Sequence, residues 1–182
     1  MIPLERALSG MNRRDFIRRS AAGLAGLTLA QALLPACSPG RAAPPDLRAL
    51  GPVEFATLSA AADRIMDGMN YPGGADAVTI LFDQDLARVP PWIRSLFIDA
   101  VRFLEFSPLL FSFPPGRFST RSAEARDQIL RDMAASALLI RRQVYAGIKQ
   151  SILFTAYSQP ATWAPLGYEG PGAVFERRGG KK

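Results

Sequence analysis

Paired carboxylates are the first side chains in this sequence that could do chemistry, since two of them can act as acid and base or bind a cation. Asp63 and Asp67 are spaced by one helical turn, and Asp83 and Asp85 follow further along the chain. No D-x-D-x-D-G loop accompanies them, so calcium binding is not indicated. We expect all four side chains to lie on the solvated faces of helices.

Histidine and a second cysteine, on which many catalytic and metal sites depend, are missing. The sequence contains no histidine, which excludes a histidine general base, histidine ligation of zinc and the c-type haem attachment motif. Its single cysteine, Cys37, excludes an intramolecular disulfide and a four-cysteine metal site. No phosphate-binding glycine loop and no G-x-S-x-G motif is present. We therefore expect a chain that is not an enzyme by itself and has no cofactor site of its own.

The net charge of +6 is concentrated at the two ends of the chain. Residues 1–36 contain five arginines and two acids, and residues 176–182 contain four bases and one acid. The rest of the chain has thirteen bases and thirteen acids, which leaves it neutral. Because nucleic-acid binding needs a basic face, this distribution argues against nucleic acid as a partner of the folded domain.

The N-terminus carries the most specific motif. Residues 12–18 read Asn-Arg-Arg-Asp-Phe-Ile-Arg, which resembles the bacterial twin-arginine export consensus. Its defining positions are Arg13, Arg14, Phe16 and Ile17. Fourteen uncharged residues follow at 21–34, fewer than the ~20 that a membrane-spanning helix needs. We predict a twin-arginine signal peptide over residues 1–37, with a transmembrane anchor as the weaker alternative. The motif is complete from Met11 onward, so Met11 and Met1 are both candidate starts.

The end of the leader has two interpretations. Leu34-Pro35-Ala36-Cys37 resembles a lipobox, in which Cys37 would be lipidated and become the first mature residue. The alternative is ordinary cleavage after the small-x-small triplet Gly40-Arg41-Ala42, with Cys37 discarded. In either case we expect residues 38–49 to be a linker, because four prolines and glycines in residues 39–45 oppose regular structure. Membrane contact would then occur only through the signal peptide or a lipid.

Apolar residues recur at three- and four-residue steps in five stretches, which predicts five helices. They run from Pro52 to about Met69, from Ala75 to Val89, from Trp92 to Phe106, from an N-cap at Ser122 through Met133, and from Ala137 to Tyr157. The apolar stripe of the last one is Ile140, Val144, Ile148, Ile152 and Ala156. No alternating strand pattern is present. We predict an all-α fold, a small irregular bundle over residues 50–157 with an irregular tail over residues 158–182.

Two apolar stretches do not fit a helical stripe. Residues 106–115 are rich in phenylalanine and contain too much proline for a helix, and residues 157–171 combine tryptophan, tyrosine, proline and glycine. Each stretch could pack on its own bundle or contact another protein. The candidate partner-binding residues are Phe111, Phe113, Trp163, Leu166 and Tyr168.

The tail pattern Y-S-x-P-x-x-W-x-x-L-G-Y-x-G-P, together with residues 54–66 and Pro72-Gly73, resembles the gluconate 2-dehydrogenase third-subunit family. The resemblance spans most of residues 47–171. It implies a small, twin-arginine-exported companion of a flavin-dependent dehydrogenase of the glucose-methanol-choline class, often accompanied by a multihaem cytochrome c. In such complexes the catalytic residues, FAD and haem belong to the other chains.

The signal and the resemblance together define the expected function. The twin-arginine translocase moves folded proteins, often because a cofactor is inserted before export, and a cofactor-loaded partner would supply that reason here. We expect a non-catalytic subunit that matures and escorts a dehydrogenase to the periplasm. The alternative is a free-standing periplasmic lipoprotein or small-ligand binding protein. A neighbouring gene for a flavin oxidoreductase without its own signal peptide would favour the subunit.

We predict that replacing both Arg13 and Arg14 by Lys retains the protein in the cytoplasm. The paired guanidinium groups offer fixed, planar donors that ammonium groups do not reproduce. Immunodetection in periplasmic and cytoplasmic fractions measures the effect. An unchanged periplasmic yield of the double variant would refute the twin-arginine assignment.

Overall fold

The computed structural model describes residues 41–112 and 114–170, and within these ranges the chain forms helices and no strand. The all-α prediction is therefore confirmed. The helices are α1 (Pro52–Ile65), α2 (Gly74–Leu86), α3 (Pro91–Phe106), α4 (Pro108–Phe111), α5 (Ala123–Ala134) and α6 (Leu139–Tyr157), followed by two 3-10 turns at Pro160–Thr162 and Ala164–Leu166. Several predicted site residues lie outside the described residues, namely Arg13, Arg14, Phe16, Ile17, Cys37 and Phe113.

Helix α6 is the element around which the bundle is arranged, because it packs against α1, α2, α3 and α5. Its buried stripe contains Val144, Ile148, Ile152 and Ala156, as the four-residue spacing predicted. Ile140, the first residue of the predicted stripe, is exposed instead. It lies in the first turn of α6, which begins at Leu139 rather than at Ala137.

The termini of the helices follow their capping residues. Ser122 adopts extended backbone angles and its side chain accepts a hydrogen bond from the backbone nitrogen of Ala125 at 3.3 Å, as expected of an N-cap. Pro52 and Pro91 occupy the first turns of α1 and α3. Backbone N–H groups in a first turn have no partner within the helix, so the missing N–H of proline costs nothing there. Helix α1 ends at Ile65, earlier than predicted, and Gly68 follows with a positive φ of 80° that a helix cannot contain.

One predicted loop contains a helix. Residues 106–115 were expected to be non-helical, yet Pro108–Phe111 forms the single turn α4. The physical reason is the position of Pro108 at the start of the turn, where its missing N–H is not needed. A proline opposes helix formation only further inside a helix. The bundle therefore has six helices in its described part rather than the expected five.

Asp83 corrects the expectation that the four candidate aspartates are solvated. Its side chain is only 2% exposed, and its two oxygens accept hydrogen bonds from the backbone nitrogens of Arg48, Ala49 and Leu50 at 2.8, 2.9 and 2.8 Å. These N–H groups precede α1 and would otherwise be buried or half-buried without a partner. Asp83 thereby attaches the end of the predicted linker to the helical domain. The side chains of Asp63, Asp67 and Asp85 are solvated as predicted.

A forked ion pair joins α1 to α5. The Arg64 Nε and Nη2 atoms donate to the two carboxylate oxygens of Asp127 at 2.9 and 3.0 Å. Hydrogen bonding by Arg64 lowers the pKa of Asp127, and the same contact raises the pKa of the guanidinium. Because the pKa of Asp127 is lowered in the folded state, the stabilisation that the pair provides is present at neutral pH. It is lost as the pH falls through that lowered value.

Candidate functional site

Phe106 and Phe111 of the phenylalanine-rich segment pack on the bundle, whereas Leu109 and Leu110 are exposed. Phe111 is 9% exposed, and the guanidinium of Arg141 lies over its ring at 4.5 Å from the centroid. Phe106 and Phe118 are buried as well. Of the two alternatives for this segment, packing on the bundle is therefore the one observed at Phe111. Its burial removes Phe111 from the set of surface residues that could contact a partner.

The fully buried carboxylate of Glu105 holds the loop that follows this segment. Its Oε2 atom accepts hydrogen bonds from the Thr57 hydroxyl at 3.0 Å and from the Ser119 backbone nitrogen at 2.9 Å. The Ser119 hydroxyl donates to Oε1 at 2.7 Å. Glu105 thus connects α3 to α1 and to the loop before α5. Its oxygens are occupied by structural hydrogen bonds, so we assign this buried acid a role in folding rather than in catalysis.

The tail folds back onto the C-terminal end of α6. The indole nitrogen of Trp163 donates to the backbone oxygen of Tyr157 at 2.9 Å, and the Trp163 and Tyr168 rings meet edge to face at 5.3 Å. Gly170, at φ 101°, lies close under the indole, and a Cβ there would come within 3.0 Å of it. Trp163 is half-buried by these local contacts, whereas Leu166 and Tyr168 remain exposed. Trp163 therefore serves to order the tail, and its neighbours provide the accessible apolar surface.

The last turns of α6 and the tail as far as Tyr168 carry no charged residue. Residues 150–168 contain no Asp, Glu, Lys or Arg. Phe154 is 76% exposed and lies one helical turn before the exposed Tyr157, so the two side chains are neighbours on the helix surface. Sequence reasoning missed Phe154. The available signal was its position on α6, because Phe154 falls outside the stripe of Ile148, Ile152 and Ala156 that faces the core.

A groove of about 370 Å³ lies beside Phe154. Its walls include Phe82, Asp85 and Leu86 from the end of α2, Val89 just after that helix, and Gln150, Ser151 and Phe154 from α6. Just past Val89, the first turns of α3 expose Trp92, at 70%, and Leu96. Arg94 fixes this junction, because its guanidinium donates to the backbone oxygens of Leu86 and Ala87 at 3.3 and 2.7 Å.

The end of α2 and the end of α6 therefore meet at the groove, and the Arg94 hydrogen bonds hold the start of α3 next to the end of α2. We use the name apolar end for the large exposed apolar residues that these elements and the tail carry, namely Trp92, Leu96, Phe154, Tyr157, Leu166 and Tyr168. In the described part of the chain, no group of three His, Cys, Asp or Glu side chains could hold a metal ion. No helix among the described residues is both long enough and apolar enough to cross a membrane. The chemistry that the apolar end offers is the burial of apolar surface against a partner.

Comparison of the chain with protein-family models, with curated proteins and with solved structures gives no match. The resemblance to the gluconate 2-dehydrogenase third-subunit family is carried by the motifs of the tail and of residues 54–73 alone.

We predict that Trp163→Ala releases the tail without unfolding the bundle. The indole's hydrogen bond and ring contacts all lie within residues 157–170, so their loss is local. Chymotryptic cleavage after Tyr157 should accelerate at least tenfold, while the melting temperature falls by less than about 4 °C. Trp92→Ala is the matched control, since Trp92 is exposed and should change neither quantity. A loss of more than about 8 °C in the Trp163 variant would show that the tail is part of the core.

Proposed function

We propose that this chain is a non-catalytic small subunit of an exported oxidoreductase complex. It binds a flavin-dependent dehydrogenase of the glucose-methanol-choline class, promotes its maturation, and escorts it through the twin-arginine translocase to the periplasm on its own signal peptide. In this proposal the catalytic residues and FAD belong to the partner, and haem c to a cytochrome subunit where one is present.

The apolar end is the observation that carries the proposal. The cores of protein–protein interfaces are depleted in charged residues and enriched in aromatic ones, and the uncharged residues 150–168 with exposed Phe154, Tyr157 and Tyr168 have this composition. The surface is also preformed. Trp163 orders the tail and Arg94 fixes the start of α3, so little conformational entropy is lost when a partner binds.

The remaining support comes from the sequence. The leader motif at residues 12–18 indicates a route that transports folded proteins, and the tail motif resembles a family of dehydrogenase companions. A partner that acquires FAD before export would explain why a chain without a cofactor motif of its own uses this route.

The groove supports the second candidate, a free-standing periplasmic lipoprotein or small-ligand binding protein, in its ligand-binding form. Its volume of about 370 Å³ lies in the range of about 300–1,000 Å³ typical of ligand pockets, and Asp85, Gln150 and Ser151 offer polar contacts beside apolar walls. Under this candidate the isolated chain would be stabilised thermally by a periplasmic metabolite extract. Under the subunit proposal it would co-purify with a flavoprotein instead.

We predict that Phe154→Ser weakens binding of the dehydrogenase at least tenfold, about 1.4 kcal/mol. The serine variant lacks the apolar area that the Phe154 ring would bury in the interface. The side chain is largely exposed, so the melting temperature of the isolated subunit should change little. The complex is first purified from native membranes, and affinity is then measured with the separated subunits.

Leu139→Ser provides the matched control. Leu139 is a large apolar residue, 58% exposed, at the opposite end of the same helix. Its replacement should leave the affinity unchanged. Equal binding by the Phe154 variant and the wild type would refute docking through the apolar end, and a native preparation without any flavoprotein would refute the proposed function.

A further inference from the structure

Four aliphatic side chains are exposed on two short stretches of helix, away from the last turns of α6. Leu109 and Leu110 belong to the single turn α4, and Leu110 is 57% exposed. Leu139 and Ile140 begin α6, and Leu139 is 58% exposed. We call these four residues the aliphatic patch.

A buried contact brings the two stretches together. Phe111 follows Leu110 in α4, and Arg141 follows Ile140 in α6, and both of these following residues are buried. The Arg141 guanidinium lies over the Phe111 ring at 4.5 Å from its centroid. Each pair of exposed residues is therefore adjacent in sequence to one member of this contact, so the turn of α4 and the first turn of α6 are neighbours.

The chain on both sides of the patch is basic. Residues 106–123 and 133–149 contain no acid and five bases, namely Arg117, Arg121, Arg141, Arg142 and Lys149. The Arg117 guanidinium lies over the ring of Phe106, the last residue of α3, at 5.8 Å from the centroid. Arg142 is exposed in the first turn of α6 and donates to the backbone oxygen of Ser136. The domain is neutral as a whole, so these segments carry a local excess of positive charge.

Exposed aliphatic residues next to arginines match the headgroup region of an anionic bilayer. Leucine and isoleucine side chains enter the acyl boundary, while basic side chains contact the lipid phosphates. The cores of protein interfaces are instead enriched in aromatic residues, and leucine is under-represented among the residues that dominate binding. In α4 and in the first turn of α6 no aromatic side chain is exposed, in contrast to the apolar end.

We propose that the aliphatic patch docks the folded domain on an anionic membrane surface. This contact is separate from the leader, and it goes beyond the proposed function without resting on it. Leu139 and Tyr157 are the first and last residues of α6, about 27 Å apart along its axis. A domain that rests on the membrane through the first turn of α6 therefore leaves Phe154 and Tyr157 accessible to a partner.

Site-specific fluorescence tests which surface contacts lipid. In the full chain carrying Cys37→Ala, a single cysteine is introduced as Leu110→Cys or Leu139→Cys and labelled with a nitrobenzoxadiazole dye, whose emission reports the polarity around it. Vesicles of phosphatidylcholine and phosphatidylglycerol in equal parts should shift the emission to shorter wavelength and at least double its intensity at both positions. Phe154→Cys, labelled in the same way, controls for attachment through the leader and should give no change.

The electrostatic part of the proposal is tested by removing one base. Arg142→Gln should raise the vesicle concentration that gives the half-maximal change at position 110 by about fivefold, the effect of one base at an anionic surface. Arg88→Gln removes an exposed base just after α2 and should leave that concentration unchanged. Vesicles of phosphatidylcholine alone should be needed at a concentration at least tenfold higher.

An unchanged dye spectrum at both Leu110→Cys and Leu139→Cys would overturn the proposal. An equal change in the Phe154→Cys control would overturn it as well, because the domain would then contact lipid without a defined orientation. Changes caused by the purified dehydrogenase but not by vesicles would overturn it in favour of a protein contact at the patch. The proposed function is tested separately, by binding of the dehydrogenase to the Phe154→Ser variant.

Discussion

The rest of the structure depends on the division of α6 into one buried face and one exposed face. Val144, Ile148, Ile152 and Ala156 are buried against α1, α2, α3 and α5, and with a single cysteine in the sequence no internal disulfide can substitute for this packing. The stripe fixes the rotation of α6 about its axis, and that rotation directs Phe154 and Tyr157 outward. The apolar end is therefore a consequence of how the core is packed.

Buried carboxylates provide the second constraint. Asp83 binds three backbone N–H groups before α1, and Glu105 binds the loop that follows α4. Both acids join an irregular segment to a helix, so each segment has a defined position although it contains no regular structure of its own. Asp83 fixes residues 48–50 ahead of α1, and Glu105 fixes Ser119 in the loop that follows the phenylalanine-rich segment.

Helical periodicity was sufficient to predict the all-α class and five of the six helices, because each carries an apolar stripe that must be buried. Ser122 was identified as a cap because its side chain acts locally. The burial of Asp83 could not be predicted, since its partners are backbone groups more than thirty residues away in sequence. The turn at Pro108–Phe111 is too short to show a period. The exposure of Phe154 was predictable from its position outside the stripe of Ile148, Ile152 and Ala156, but apolar residues on both faces of α6 obscured that signal.

The proposed function claims that the apolar end is buried by another protein in the native complex. Hydrogen–deuterium exchange, compared between the natively purified complex and the isolated subunit, tests this claim directly. The account predicts slower exchange in the complex at residues 150–168 and at residues 82–96, with little change at residues 123–139, which contain no residue of the apolar end. Protection elsewhere, with residues 150–168 exchanging equally in both samples, would contradict it.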